Sequence, residues 1–433
     1  MKALLDLVAR HRAGQHAGIA SVCSAHPVVL DAALIHARDN GHPVLIEATS
    51  NQVNQFGGYT GMRPADFHAF VMEKADKAGL ARDQVLLGGD HLGPNAWQDE
   101  PAATAMAKAD TLIEDYVTAG FRKIHLDCSM SCAGDPPVLP DAEVASRAAR
   151  LAAVAERAWK RSGGEAPVYI VGTEVPVPGG AKEELGELEV THPEAMATTV
   201  EAHRSAFATL GLDEAWQRVI GIVVQPGVEF DHHDVVDFKP EKARALSAAI
   251  ERFPGLVYEA HSTDYQTPEA LAALVRGHFA ILKVGPGVTF ALRETLWALS
   301  SVEDELLPAS KRSNLRKVVL DVMRAEPKHW NKYYTDESHL TLDLQYSLSD
   351  RMRYYWPEAR IQSACETLLH NLGSLTPQGE LPLALLSQFL PRQYIDIRAG
   401  RLVNSANEIL RAGVTHVLRD YAQACAPAPS GKA

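Results

Sequence analysis

Val85-Leu86-Leu87-Gly88-Gly89-Asp90-His91-Leu92-Gly93-Pro94 sets a run of apolar residues directly against an acid and an imidazole on a glycine-bearing turn. Apolar residues at consecutive positions, and not at alternate ones, read as a strand buried on both faces. Glycines let the backbone come close to a ligand, and Asp beside His at a strand end is what metal-assisted chemistry needs. Taken alone, the pair reads as well as a turn-capping Asp next to an ordinary His. Repetition changes that. Seven further short runs end the same way, in polar or glycine-rich residues: Gly18–Ser24, Val44–Ser50, Lys123–Ser129, Val168–Glu174, Val219–Gln225, Leu256–Ser262 and Ala280–Gly285.

Segments with helical periodicity lie between the runs: Pro27–Asn40, Pro64–Ala78, Ala102–Ala119, Asp141–Arg161, Pro193–Leu210, Lys239–Phe253 and Pro268–Gly277, after a short helix near residues 3–14. Thr191-His192-Pro193-Glu194 and Thr267-Pro268-Glu269 place Pro and an acid in a first helical turn. Doubly buried strands alternating with amphipathic helices are parallel βα units, and eight in succession predict an α/β fold, a closed (β/α)8 TIM barrel. An open doubly wound sheet is the alternative. It would carry a glycine-rich phosphate turn after its first strand, where this chain has Cys23-Ser24-Ala25-His26-Pro27. Helical segments at 290–299, 313–324, 359–372, 382–389 and 405–421 follow, around aromatic and charged stretches. The expected division is a barrel over 1–300, a C-terminal helical extension packed on it over 301–425, and a disordered tail over 426–433.

A chain of 433 residues with 46% hydrophobic and 22% charged residues is ordinary for a globular enzyme. The net charge of −12 argues against nucleic acid and acidic membranes as partners. The five cysteines are scattered, with no Cys-x-x-Cys, and no apolar run is long enough for a signal core or a membrane span. A cytoplasmic location is the expectation. Cys128 and Cys132 read as bystanders, since neither shows a thiolate-activating neighbourhood.

In a barrel the C-terminal strand ends share one mouth. Reading them in order gives Glu47 and Thr49, then Asp90 and His91, then His125, Asp127 and Ser129, then Thr173 and Glu174. Gln225 and Glu229 come next, then Glu259, His261, Ser262, Thr263 and Asp264, and lastly Lys283 with Gly285-Pro286-Gly287. Acids and imidazoles are costly to bury unpaired, so such a mouth is expected to hold a ligand or metal. His91 and His261 are the candidate ligands of a divalent ion, most plausibly zinc, with Glu174 or Asp127 as the third. His125 reads as a satisfied core histidine, and His232 and His233 as solvated loop residues. Ser262, Thr263, Gly285 and Gly287 suit a phosphate, with Arg351 and Arg353 reaching in from the extension.

Several long stretches resemble the GatZ/KbaZ family. They are 88–94, Leu126-Asp127-Cys128-Ser129, Gly172-Thr173-Glu174-Val175-Pro176-Val177-Pro178-Gly179-Gly180, Tyr258-Glu259-Ala260-His261-Ser262-Thr263-Asp264-Tyr265-Gln266 and Ser349-Asp350-Arg351-Met352-Arg353-Tyr354-Tyr355-Trp356. Members are named as the accessory subunit of class II tagatose-1,6-bisphosphate aldolase, some as tagatose-6-phosphate kinases, and some are ketohexose or ketohexose-phosphate 4-epimerases. A fainter likeness to the class II zinc aldolases implies a proton-shuttling Asp90, zinc-binding His91 and His261, and a phosphate turn at Ser262–Asp264. Those enzymes' middle zinc histidine is matched only by Gln225, before Pro226-Gly227.

The resemblance implies a metal-dependent epimerase at C4 of a 2-ketohexose phosphate, interconverting tagatose 6-phosphate and fructose 6-phosphate. The C4 hydrogen is not α to the ketone, so a retro-aldol break of C3–C4 and re-addition is the expected route. Asp90 is the expected proton carrier and Glu174 the alternative, with Lys283, Gln225 and Asp264 also on the substrate. The other reading is a non-catalytic subunit that stabilises an aldolase. A sugar-phosphate kinase is disfavoured, since no Gly-x-x-x-x-Gly-Lys-Ser/Thr loop is present.

Overall fold

The computed structural model describes residues 1–173 and 188–426. Among these, eight parallel strands close into a barrel: β1 Ile19–Val22, β2 Val44–Thr49, β3 Val85–Leu92, β4 Lys123–Leu126, β5 Val168–Gly172, β6 Val219–Val223, β7 Val257–Ala260 and β8 Phe279–Val284. Each strand pairs with its neighbours in sequence, and β8 returns to β1 with Ser21 opposite Lys283. This is the predicted (β/α)8 barrel, and all eight apolar runs contribute a strand.

The helices begin and end where the backbone chemistry directs. Pro27, Pro64, Pro193, Pro240, Pro268 and Pro286 open helices at positions whose N–H would go unused. Gly41 and Gly79 end two of them in the left-handed conformation, at φ 65° and 74°. The helix Pro286–Leu306 is longer than its periodic stretch suggests, and the helices Leu340–Tyr346 and Pro391–Arg398 carry no clear signal in the sequence. The helix Ala406–Cys425 lies against the helices Pro27–Asn40, Pro268–Arg276 and Pro286–Leu306. No helix among the described residues is long and apolar enough to cross a membrane.

The barrel interior is layered. Side chains at alternate positions point inward, so Ile19, Leu45, Leu86, Val168, Val257 and Ile281 form an aliphatic floor, closed from below by Leu4, Leu7 and Val8 of the helix Lys2–Arg10. Two residues further along the strands the same face becomes ionic: Glu47, Lys123, Glu259 and Lys283. Gly88 makes this possible, because a Cβ there would stand 2.5 Å from the Glu47 carboxylate. One more step up is the mouth.

Candidate active site

Lys123 and Lys283 hold the ionic layer together. The Lys123 ammonium lies 2.5 Å from Glu47 Oε1 and 2.6 Å from Glu259 Oε2, all of them sealed from solvent. Lys283 bonds Glu47, reaches Asp90 Oδ1 at 2.7 Å and Glu259 Oε1 at 3.3 Å. Burial works against its charge, yet the three carboxylates outweigh burial and hold its pKa well above the ordinary lysine value. Cys23 adjoins this cradle, and Cys23, Glu47 and Asp90 already surround the Lys283 ammonium.

Adjacent residues on a regular strand face opposite ways, yet Asp90 and His91 both line the mouth. A register shift between Gly89 and Leu92 explains this, with His91 at φ 47°. A non-glycine residue in the left-handed region costs about 1–3 kcal/mol and marks functional sites. Ser262, beside His261, shows the same device at φ 53°.

Three imidazoles meet above the ionic layer. Ring centroids of His91, His125 and His261 are 5.2, 4.9 and 5.1 Å apart pairwise. Two of the rings are each set by a carboxylate. His91 Nδ1 donates to Asp127 Oδ2 at 2.7 Å, and His261 Nε2 to Glu259 Oε1 at 2.9 Å. His125 Nδ1 is within reach of both Asp90 Oδ1 at 3.1 Å and the His91 amide at 3.2 Å. The His91 amide donates to Nδ1, and Asp90 lies beside the same edge of the ring. His125 Nε2, though buried, has no hydrogen-bond partner among the described residues.

This is the arrangement in which carboxylates fix the tautomers of metal-binding histidines. Asp90, His125, Glu259 and His261 offer ligand atoms within 4.8 Å of one another, and His91 Nε2 stands 3.8 Å from Asp90 Oδ2. Among the described residues of the two layers, Glu47, Asp90, Asp127 and Glu259 face only two ammonium groups. Two negative charges go unmatched, and a divalent ion fits both the charge and the donor set. Without an ion the balance falls to His91. Burial lowers its pKa, but Asp90 and Asp127 outweigh burial and raise it. Asp90 is held well below the usual carboxylate range: burial opposes this, and His91 and Lys283 overcome it. His261 is pushed down to about 3 by burial, only partly offset by Glu259, and stays neutral.

The other sequence-derived residues fall as follows. Asp127 orients His91 and also accepts from the Ser129 hydroxyl at 2.7 Å. Gln225 folds back on its own turn, accepting from the amides of Gly227 and Val228. Thr263 turns away from the mouth to Lys283 O and Tyr421. Asp264 accepts from the amides of Gly285 at 2.9 Å and Gly287 at 2.8 Å, so the expected phosphate loop already holds a carboxylate, whose pKa burial raises to about 6. Arg353 and Ser262 line the mouth, whereas Arg351 packs on Tyr333, 3.6 Å from the ring centroid, and faces an outer cleft with Lys328 and Lys332. Glu174 lies outside the described residues.

Histidine 125 was read as core and instead joins the imidazole cluster. Its signal was Lys123, His125 and Asp127 on one face of a buried strand. His232 is no solvated residue either: it holds the Ser347–Ser349 segment and Tyr333 O. His233 stays largely exposed and meets Asp343 at 2.6 Å.

Residues 4–426 match the model of a family described as D-tagatose-1,6-bisphosphate aldolase subunit GatZ/KbaZ-like. The chain belongs to the GatZ/KbaZ-like family. A crystal structure described as a probable tagatose 6 phosphate kinase from Sinorhizobium meliloti 1021 is 50% identical and superposes with a TM-score of 0.86, over 94% of this chain and all of that one. Fructose-bisphosphate aldolase from Campylobacter jejuni matches at 13% identity and TM-score 0.49, over 84% of this chain and 90% of that one. The YdjI aldolase from Escherichia coli K12 matches at 12% and 0.41, over 82% and 95%.

Proposed function

We propose that this GatZ/KbaZ-like protein is a metal-dependent epimerase at C4 of a 2-ketohexose phosphate, interconverting tagatose 6-phosphate and fructose 6-phosphate by retro-aldol cleavage and re-addition. The observation that carries the reading is a cluster of three imidazoles, two of them oriented by carboxylates, where the mouth and the ionic layer together are two positive charges short. His91, His125 and His261, with Glu259, would hold the ion, most plausibly zinc, and leave Asp90 free for proton transfer. Bound there, it supplies a Lewis acid at the C2 carbonyl.

The chain's own groups do the rest. Asp90, kept ionised by Lys283 and His91, accepts the C4 hydroxyl proton as the C3–C4 bond breaks; Glu174 is the alternative. The Lys283 ammonium lies beside the developing enediolate charge. Arg353 holds the phosphate, because the Gly285 and Gly287 amides are taken by Asp264. With that end held, the aldehyde turns and C3 adds to its other face.

The test is to purify the protein without any aldolase and follow fructose 6-phosphate formation from tagatose 6-phosphate. Turnover that is lost with chelator, with His91→Ala and with Asp90→Asn, and restored to the wild type by zinc, supports the reading. No turnover with any divalent ion, together with stabilisation of a separately prepared class II aldolase, assigns the protein instead to a non-catalytic role beside an aldolase, the family's description being that of an aldolase subunit.

A further inference from the structure

Inversion by this route makes a demand that Asp90 alone does not meet. Once the aldehyde has turned, its oxygen no longer lies beside the group that took the C4 proton, and the new alkoxide needs a donor elsewhere in the mouth. Tyr354 is such a donor. It lines the mouth with Asp90, His91, His261 and Lys283, but it comes from the Arg351–Tyr354 turn and not from a strand end.

Its ring stands between the mouth and the outer cleft and is held there by four side chains. The guanidinium carbons of Arg351 and Arg353 each lie 4.5 Å from the ring centroid, and Arg353 Nη2 donates to the phenolic oxygen at 3.1 Å. His329 stacks on the ring at 5.0 Å with 13° between planes, and Tyr59 meets it edge-on at 4.6 Å. His329 is held neutral, at about 4, by burial and the nearby Lys328. Burial raises the Tyr354 pKa, and the two guanidinium groups outweigh it and bring it below the ordinary phenol value. A tyrosinate at this spot is therefore tolerated.

Resting on the epimerase reading above, we infer that Tyr354 is a catalytic acid–base residue, serving the C4 oxygen of one epimer while Asp90 serves that of the other. In one direction Asp90 takes the hydroxyl proton, and the C3–C4 electron pair passes to C3 to give enediolate and aldehyde. The aldehyde pivots about C4–C5 with its phosphate on Arg353. C3 then attacks the opposite face, C3–C4 re-forms, and the oxygen takes the Tyr354 proton. Water at the mouth returns a proton to Tyr354 and removes the one on Asp90. No oxidant or co-reactant enters.

The experiment separates cleavage from inversion. Zinc-loaded full-length wild type, Tyr354→Phe and Asp90→Asn are each given tagatose 6-phosphate or fructose 6-phosphate with hexacyanoferrate(III), which oxidises the enediolate as it forms. Tyr354→Phe is expected to lose about 10²–10⁴-fold in epimerisation, to keep enediolate formation from one sugar and to lose it from the other, with Asp90→Asn showing the reverse preference. Its kcat also loses the wild-type dependence on the ionisation of a phenol at alkaline pH. Epimerisation by Tyr354→Phe within about fivefold of wild type, or equal loss of enediolate from both sugars, overturns the assignment, since a proton carrier is worth far more than fivefold and a packing role does not choose between epimers. If the wild type forms no enediolate from either sugar, the epimerase reading itself falls and the assignment goes with it.

Discussion

Asp127 commits both oxygens, one to His91 Nδ1 and the other to the hydroxyl and amide of Ser129, so its carboxylate acts through His91. Replacing Asp127 with Asn is expected to weaken zinc affinity about 10–100-fold with the fold retained, read by competition titration with a chromophoric chelator. An ion held as proposed would also have to displace the His91 proton. Because Asp90 and Asp127 raise that imidazole's pKa, affinity should fall about tenfold per pH unit below its folded value, and this slope should vanish in His91→Ala. Glu229 gives a separate pH signature: burial lifts its carboxyl to about 7. A carboxyl raised in the folded state contributes stability that is complete below its unfolded value, near 4.5, and is lost as pH rises through about 7. Glu229→Gln should therefore gain about 2 kcal/mol on the wild type between pH 5 and pH 8 in urea denaturation, allowing for the water that still reaches the group. At this scale Asp90, His91 and His261 were legible because each sits at a strand end beside glycine or small polar residues. His125 was not. Its alternation with Lys123 and Asp127 set it on one face of the strand, but that this face turns inward beside His91 and His261 follows only when the barrel closes.

β4 shows what an element adds to its residues. Its four residues carry Lys123 and His125 inward and Ile124 and Leu126 outward against the helices, so one strand serves the ionic layer, the imidazole cluster and the outer core. Replacing Lys123 with Met removes one partner of a sealed network and leaves Glu47 and Glu259 short of a counter-charge. The expected loss is about 3–5 kcal/mol in chemical denaturation, with part of it returned by the double variant Lys123→Met/Glu47→Gln. Strands were the most legible elements because helices cover one side and the barrel interior the other, making them apolar at nearly every position. The charged layer was hidden by the same fact. Glu47, Glu259 and Lys283 were visible as strand-end polar residues, but that they face one another across the interior follows only from closure and register. Short helices such as Pro391–Arg398 were not legible, since eight residues span too few turns to set up a periodicity.

Across the whole molecule, the helix Ala406–Cys425 ties both ends of the barrel. The Tyr421 hydroxyl donates to Thr263 O at 2.8 Å beside the mouth, while Cys425 O accepts from the Gly18 amide at 2.9 Å where β1 begins. Gly413 lets this helix sit against the helix Pro286–Leu306, because a Cβ there would fall 2.1 Å from Thr295 Oγ1. Tyr421→Phe should lower stability by about 1–2 kcal/mol in urea denaturation and raise KM for sugar phosphate more than it lowers kcat, since it loosens the Ser262–Asp264 loop without touching the reacting carbons. The barrel itself was legible from its alternation. The tie was not, because 158 positions separate Thr263 from Tyr421 and neither residue advertises the other.

That tie bears on how the protein comes into being. Synthesis runs from the N-terminus, so every strand has left the ribosome before Tyr421 is made. A nascent chain halted after β8 would own all its imidazoles and carboxylates, yet lack the clasp that sets the loop beside them. Competence is thus withheld until the helix Ala406–Cys425 has been made, and a product that stops short of it would leave the Thr263 loop unclasped.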